Sequence, residues 1–144
     1  TLRYLGERVG AHLRKEEKMA RRVFLKLRYG DFETISRNHT FARPTDGDED
    51  TFRAGLSMMK KALEQRRAPV RLIGIGVAEL MPWASQLSFL DTSYARSQNL
   101  VKAMDSIRGK YGFTSIQRGL TFSLGSHYQV ENGNYILKTS ALSR

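Results

Sequence analysis

The chain has 144 residues, enough for one domain with an appended tail, and 40% of them are hydrophobic, enough for a core of ordinary size. Its 24 Lys and Arg outnumber 14 Asp and Glu, and the formal charge of +10 favours polyanions, nucleic acid first among them. The absence of cysteine excludes disulfides, a thiolate nucleophile and Cys-based zinc, and suits a reducing, cytoplasmic setting.

Leu2, Leu5, Val9 and Leu13 recur at three- and four-residue steps among charged residues, which predicts an amphipathic helix from Thr1 to about Lys18. A helix this early leaves no room for a signal peptide. A chain that opens inside a helix without Met reads as a fragment of a longer protein. Val23, Leu25, Leu27 and Tyr29 alternate with Arg22, Phe24, Lys26 and Arg28, a half-buried strand with a basic outer face. Gly30-Asp31 is a turn, and Phe32 to Phe41 is a second extended run with imperfect alternation, so the two form an antiparallel hairpin.

Pro44 to Asp50 reads as a loop opening a second helix, with Thr45 or Asp46 as cap and acidic residues offsetting the helix dipole. Phe52, Leu56, Met59 and Leu63 are its expected apolar stripe, and Pro69 stops it. Val70 to Ala78 is a third strand. Met81 to Thr92 lacks periodicity and reads as an extended connector. Gln98 to Lys110 is a third helix, ended by Gly112, and Ile116 to Leu124 reads as a short strand. Beyond Gly125 the Ser, Asn and Gly content argues against regular structure, although Tyr135-Ile136-Leu137 has the character of a pairing segment. Two helices against an antiparallel sheet make an α+β two-layer sandwich with one sheet face left open. The expected organisation is a DNA-binding domain over 1–80, a connector over 81–95 and a C-terminal extension, largely helical, over 96–144.

No catalytic constellation is present. His12, His39 and His127 stand in unrelated settings, and neither Gly-x-Ser-x-Gly nor His-Glu-x-x-His occurs. Asp46, Asp48 and Asp50 have the spacing that opens a calcium loop, but Thr51 and Ser57 occupy the positions its glycine and closing Glu require. No metal ligand set and no cofactor site is therefore assigned. Gly74-Ile75-Gly76 lacks a third glycine and lies inside a strand, where glycine lets another backbone approach closely. The candidate DNA-binding residues are Lys26 and Arg28 on the first strand, Thr34, Ser36 and Arg37 on the second, and Arg71 on the third. With them the sheet would hold duplex DNA by its phosphates without reading sequence. No apolar run approaches the roughly 18 residues of a membrane span, so a membrane is not an expected partner.

Leu25-Lys26-Leu27-Arg28-Tyr29-Gly30-Asp31-Phe32-Glu33-Thr34-Ile35-Ser36-Arg37, Pro44-Thr45 and Val70-Arg71-Leu72-Ile73-Gly74-Ile75-Gly76-Val77 together resemble the little-finger domain of Y-family translesion polymerases of the bacterial DNA polymerase IV type. Ile107-Arg108-Gly109-Lys110-Tyr111-Gly112-Phe113, with Ile116 and Arg118-Gly119, is similar to the extension after this domain in some members. The resemblance implies a β-α-β-β-α-β sandwich whose open sheet lies in the DNA major groove. It implies a parent enzyme, a DNA-directed nucleotidyltransferase, that extends primers past lesions with two magnesium ions held by a palm domain not in this sequence. The family's first strand precedes the first helix and is missing here. That exposes a sheet edge for Ile116–Leu124 or for a second copy, a homodimer.

Gln86-Leu87-Ser88-Phe89-Leu90 resembles the bacterial sliding-clamp-binding motif Gln-Leu-x-Leu-Phe, with the last two positions inverted. In that resemblance Gln86 meets the pocket rim and Leu87, Phe89 and Leu90 fill apolar subsites around Ser88. The function implied is a non-catalytic module that grips primer–template DNA and tethers its polymerase to the clamp. The alternative is a stand-alone module that pairs with a protein through a sheet edge.

Overall fold

A computed structural model of the chain describes residues 1–82 and 92–137. The chain divides into two compact units, Thr1–Ala84 and Ser85–Arg144.

The first unit runs α1 (Leu2–Lys15), β1 (Lys18–Tyr29), β2 (Thr34–Thr45), α2 (Asp48–Gln65) and β3 (Val70–Pro82). The strands form an antiparallel sheet in the order β2-β1-β3. The central strand β1 buries Val23, Leu25, Leu27 and Tyr29, as its alternation predicts, and also Ala20, beyond the register shift. Val23, Leu25 and Leu27 pack with Leu2 of α1 and Met58 and Ala62 of α2, so both helices cover the same sheet face. Ile35, Phe41, Ile73, Ile75 and Val77 border this core. The fold is the α+β two-layer sandwich expected, here with three strands.

The boundaries differ instructively. Helix α1 stops at Lys15 rather than Lys18, because Glu17 takes a left-handed backbone (φ 51°) and Lys18 already pairs with Pro82. All three strands are longer than expected at one end or the other. The irregular alternation of the second strand has a cause: between Ala20 and Arg22 the β1–β2 register shifts, so residues 41–44 bow out of the ladder.

The helix faces are rotated from the expected stripes. In α2 the buried residues after Asp48 are Thr51, Gly55, Met58 and Ala62, one position before Phe52, Leu56, Met59 and Leu63. In α1 Gly6 and Gly10 are buried between Leu2 and Leu13. Small residues occupy the lines of closest approach, and the large apolar side chains flank them. The cap of α2 also differs from expectation. Gly47 is the capping residue and no side chain caps the helix. Thr45 Oγ1 instead accepts from the Gly47 amide at 3.0 Å and donates to Asp50 at 2.6 Å.

The second unit begins with α3 (Thr92–Tyr111), six residues earlier than the sequence suggests. Gly112 ends it with φ 92°, a backbone that favours glycine. Ile116–Leu124 is not a strand: a 3₁₀ turn at Phe113–Ser115, the short helix α4 (Gly119–Phe122) and a 3₁₀ turn at Ser123–Ser126 span this region. Thr121 Oγ1 donates to the Arg118 carbonyl at 2.8 Å, a local bond that competes with a strand ladder. That segment therefore supplies no strand of its own. Tyr135 does pair, in a two-stranded hairpin of β4 (Val130–Glu131) and β5 (Asn134–Tyr135).

Within this unit the expected extension motif has a structural explanation. Arg108 is 5% exposed, lies 4.1 Å over the Phe113 ring, and donates from Nε to the Ile116 carbonyl at 3.1 Å. Gly112 and Gly133 touch backbone to backbone, so a Cβ on Gly133 would fall 2.4 Å from the Gly112 Cα. The Tyr135 hydroxyl donates to Gln117 Oε1 at 2.9 Å and fastens the hairpin to the segment after α3.

Candidate nucleic-acid interface

Strand pairing fixes which side chains share a face, because residues directly across from each other point the same way. Leu25 lies across from Arg37 and Ile75, and Leu27 from Ile35 and Ile73. These positions face the helices. Lys26 lies across from Ser36 and Gly74, Arg28 from Thr34 and Leu72, Phe24 from Asn38 and Gly76, and Arg22 from Thr40 and Ala78. These positions form the open face. It is a grid of four rows about 6.8 Å apart, two residues of strand rise each.

The three columns differ in character. The β2 column carries Thr34, Ser36, Asn38 and Thr40, all short donors and acceptors. The β1 column is cationic apart from Phe24. The β3 column, Leu72, Gly74, Gly76 and Ala78, carries no polar side chain. Arg28 Nε donates to Thr34 Oγ1 at 2.9 Å, which fixes the guanidinium toward the hydroxyl column. Arg22 pairs with Glu79 at 2.7 Å, so its charge is largely answered. The unanswered positive potential of this face gathers at Lys26 and Arg28.

Phe24 is 40% exposed, and its ring takes the room that a side chain on Gly76 would need: a Cβ there would fall 2.3 Å from the ring edge. At the hairpin end, Arg71 lies 4.7 Å over the Phe32 ring, where an extra β3 residue between Leu72 and Val70 shifts the register. The turn carboxylates of Asp31 and Glu33 are both bound by Arg66, at the end of α2. The backbone amide of Glu33 and then Arg66 hold the Asp31 carboxyl below its usual range, so it stays ionised and paired. These negative charges are thereby tied to a cation.

Of the six residues picked from the sequence, Lys26, Arg28, Thr34 and Ser36 form two adjacent rows of one face. Arg37 does not join them. It projects from the helix-facing side of the edge strand and donates to Gln65 of α2 at 2.6 Å. Parity is the reason: it sits one residue from Ser36, and a step of one reverses the face. His39 lies on the same side as Arg37, edge-on to Phe41 at 5.2 Å between ring centres. Arg71 stands at the end of the sheet rather than in its rows. Asn38 and Thr40 were missed because the bowed 41–44 segment blurs the alternation of β2. Gln86, Leu87, Ser88, Phe89 and Leu90 lie outside the described residues.

The acidic first turn of α2 is engaged by arginines. Arg14 binds Asp48 at 2.8 Å, and Arg3 binds Glu49 at 2.5 Å. Among the described residues no group of three His, Cys, Asp or Glu could hold a metal ion. No described helix is long and apolar enough to cross a membrane.

Residues 1–89 match the impB/mucB/samB family C-terminal domain. DNA polymerase IV of Dehalococcoides mccartyi strain CBDB1 is 40% identical over 123 residues, covering 85% of this chain and 31% of that protein. DNA polymerase IV of Brucella melitensis is 34% identical over 127 residues, covering 87% of this chain and 28% of that protein. The chain thus spans under a third of the length of these curated relatives. Among solved structures, a "Complex of beta-clamp processivity factor and little finger domain of PolIV" aligns with 58% of this chain and 71% of that one. Its identity is 26% and its TM-score 0.38, too loose an overlay to carry an argument. The resemblance read from the hairpin and the third strand is borne out, and the chain belongs to the impB/mucB/samB family as its C-terminal domain.

Proposed function

We propose that this chain is the DNA-gripping, clamp-tethering part of a translesion polymerase. The open sheet face binds primer–template DNA, and Gln86–Leu90 docks in the sliding clamp. The observation that carries the DNA reading is the pairing of Lys26 with Ser36 and of Arg28 with Thr34 across one uncovered face. Two cations beside two hydroxyls suit phosphate oxygens, and no carboxylate stands in their rows. Such contacts position DNA without reading its sequence. The net charge of +10 adds long-range attraction.

The clamp reading rests on the Gln-Leu-Ser-Phe-Leu sequence and on family membership. The parent enzyme would be a cytoplasmic nucleotidyltransferase whose magnesium-dependent chemistry belongs to residues outside this sequence. The direct test is a titration of labelled primer–template duplex with the 144-residue chain at several salt concentrations. A steep fall in affinity with salt supports the reading, and salt-indifferent binding contradicts it.

One observation favours the second reading, a protein-pairing module. From Leu72 to Ala78 the edge strand β3 carries no charged side chain and, among the described residues, its outer edge is paired with no strand. A salt-insensitive dimer that does not bind DNA would select this reading, with a second copy as the partner.

A further inference from the structure

Gly74 and Gly76 both belong to the open face, but only Gly76 has a neighbour that fills the space of its missing side chain. Gly76 is explained internally, because the Phe24 ring occupies the space of its missing side chain. Gly74 is not. Among the described residues a methyl group at Gly74 would meet only the Lys26 Cβ, at an ordinary 3.9 Å, and its backbone is not in the left-handed region. Glycine inside a strand weakens the strand, and a β-branched residue would serve the sheet better. The reason for glycine at this position therefore lies outside the fold.

Resting on the DNA reading above, we propose that Gly74 is the contact point at which a sugar–phosphate backbone lies against the sheet. The bare strand at Gly74 forms a notch between Leu72 and the Phe24 ring. Lys26 stands directly across from it and Ser36 one strand further. A phosphodiester seated there comes within reach of the Lys26 ammonium, while the missing side chain lets its deoxyribose approach the strand. Phe24 closes one end of the notch and sets where along the strand the backbone can settle. Gly74 acts by steric permission and Lys26 by charge, so the two are separable by substitution.

The test uses the full chain, a fluorescein-labelled primer–template duplex and three variants: Gly74→Val, Gly74→Ala, and Lys26→Ala with Arg28→Ala. Gly74→Val should bind at least 10-fold more weakly than the parent, and Gly74→Ala should fall between. Neither should lower the thermal midpoint. If Gly74→Val binds DNA like the parent while the basic double variant is weakened, the notch is refuted and the DNA reading stands. If neither the valine nor the double variant weakens binding, both fall. A lowered midpoint for Gly74→Ala would also overturn the inference, because the fold itself would then require the glycine.

Discussion

Arg14 of α1 donates to Asp48 of α2 at 2.8 Å, and the two side chains are only 9% and 3% exposed. The same guanidinium donates to the Asp46 carbonyl at 2.7 Å. Gly10 makes the contact possible, since a Cβ there would fall 2.0 Å from Asp48 Oδ1. A buried pair adds little net stability over an apolar pair, but removing one partner strands a charge out of water. Arg14→Ala and Asp48→Ala should each cost about 3 kcal/mol, on the scale of broken buried pairs. The double variant should cost well below the sum. Denaturant midpoints check this, and additive losses would show that the two groups do not share one interaction. Gly10→Ala should also destabilise, against the usual helix preference for alanine.

Acid should unfold the protein partly through Glu49. Arg3, by a hydrogen bond, and then Arg53 hold its carboxyl below the ordinary value of 4.5, with partial burial opposing them. A carboxylate with a depressed folded pKa stabilises above its unfolded pKa and loses that contribution as pH falls through the folded one. The thermal midpoint should therefore hold near neutrality and drop as pH falls below about 4.5. Glu49→Gln should lower the neutral midpoint and reduce this acid-side drop. Curves that stay parallel down to pH 2 would contradict it.

Arg66 joins the end of α2 to the β1–β2 turn by binding Asp31 and Glu33 and lying 4.6 Å over the Tyr29 ring. Both carboxylates are exposed, so the effect is local rather than global. Arg66→Ala should speed amide exchange in the turn at residues 30–33 and leave the α1–α2 contact unchanged. Uniformly faster exchange would mean that the bridge supports the whole sandwich.

The tether makes its own prediction. Replacing Gln86, Leu87 and Phe89 by Ala should abolish binding to a purified bacterial sliding clamp and leave the thermal midpoint within about 1 °C. A large fall in the midpoint would show that these side chains belong to a core instead.

The sheet was legible because β1 alternates cleanly from Val23 to Tyr29 and β3 is a continuous apolar run. Helix faces were less legible. Apolar periodicity weights large side chains, whereas Gly6, Gly10, Gly55 and Thr51 line the closest contacts. In the site, residue types were readable but faces were not. Arg37 looked equivalent to Arg28 until the register set it across from Leu25. The 116–124 segment failed for another reason: Ile116, Leu120, Phe122 and Leu124 suit a strand by composition, while Gly119 and local side-chain bonds favour short helical turns.

The most direct measurement compares the salt dependence of primer–template binding for Lys26→Ala, Arg28→Ala and Arg37→Ala. Each lost phosphate contact lowers the slope of log affinity against log salt by about 0.9. Gripping through the open face predicts that decrease, with weaker binding, for Lys26→Ala and for Arg28→Ala. It predicts a nearly unchanged slope for Arg37→Ala, which lies on the other side of the sheet. Equal slopes for the parent, Lys26→Ala and Arg28→Ala would contradict it.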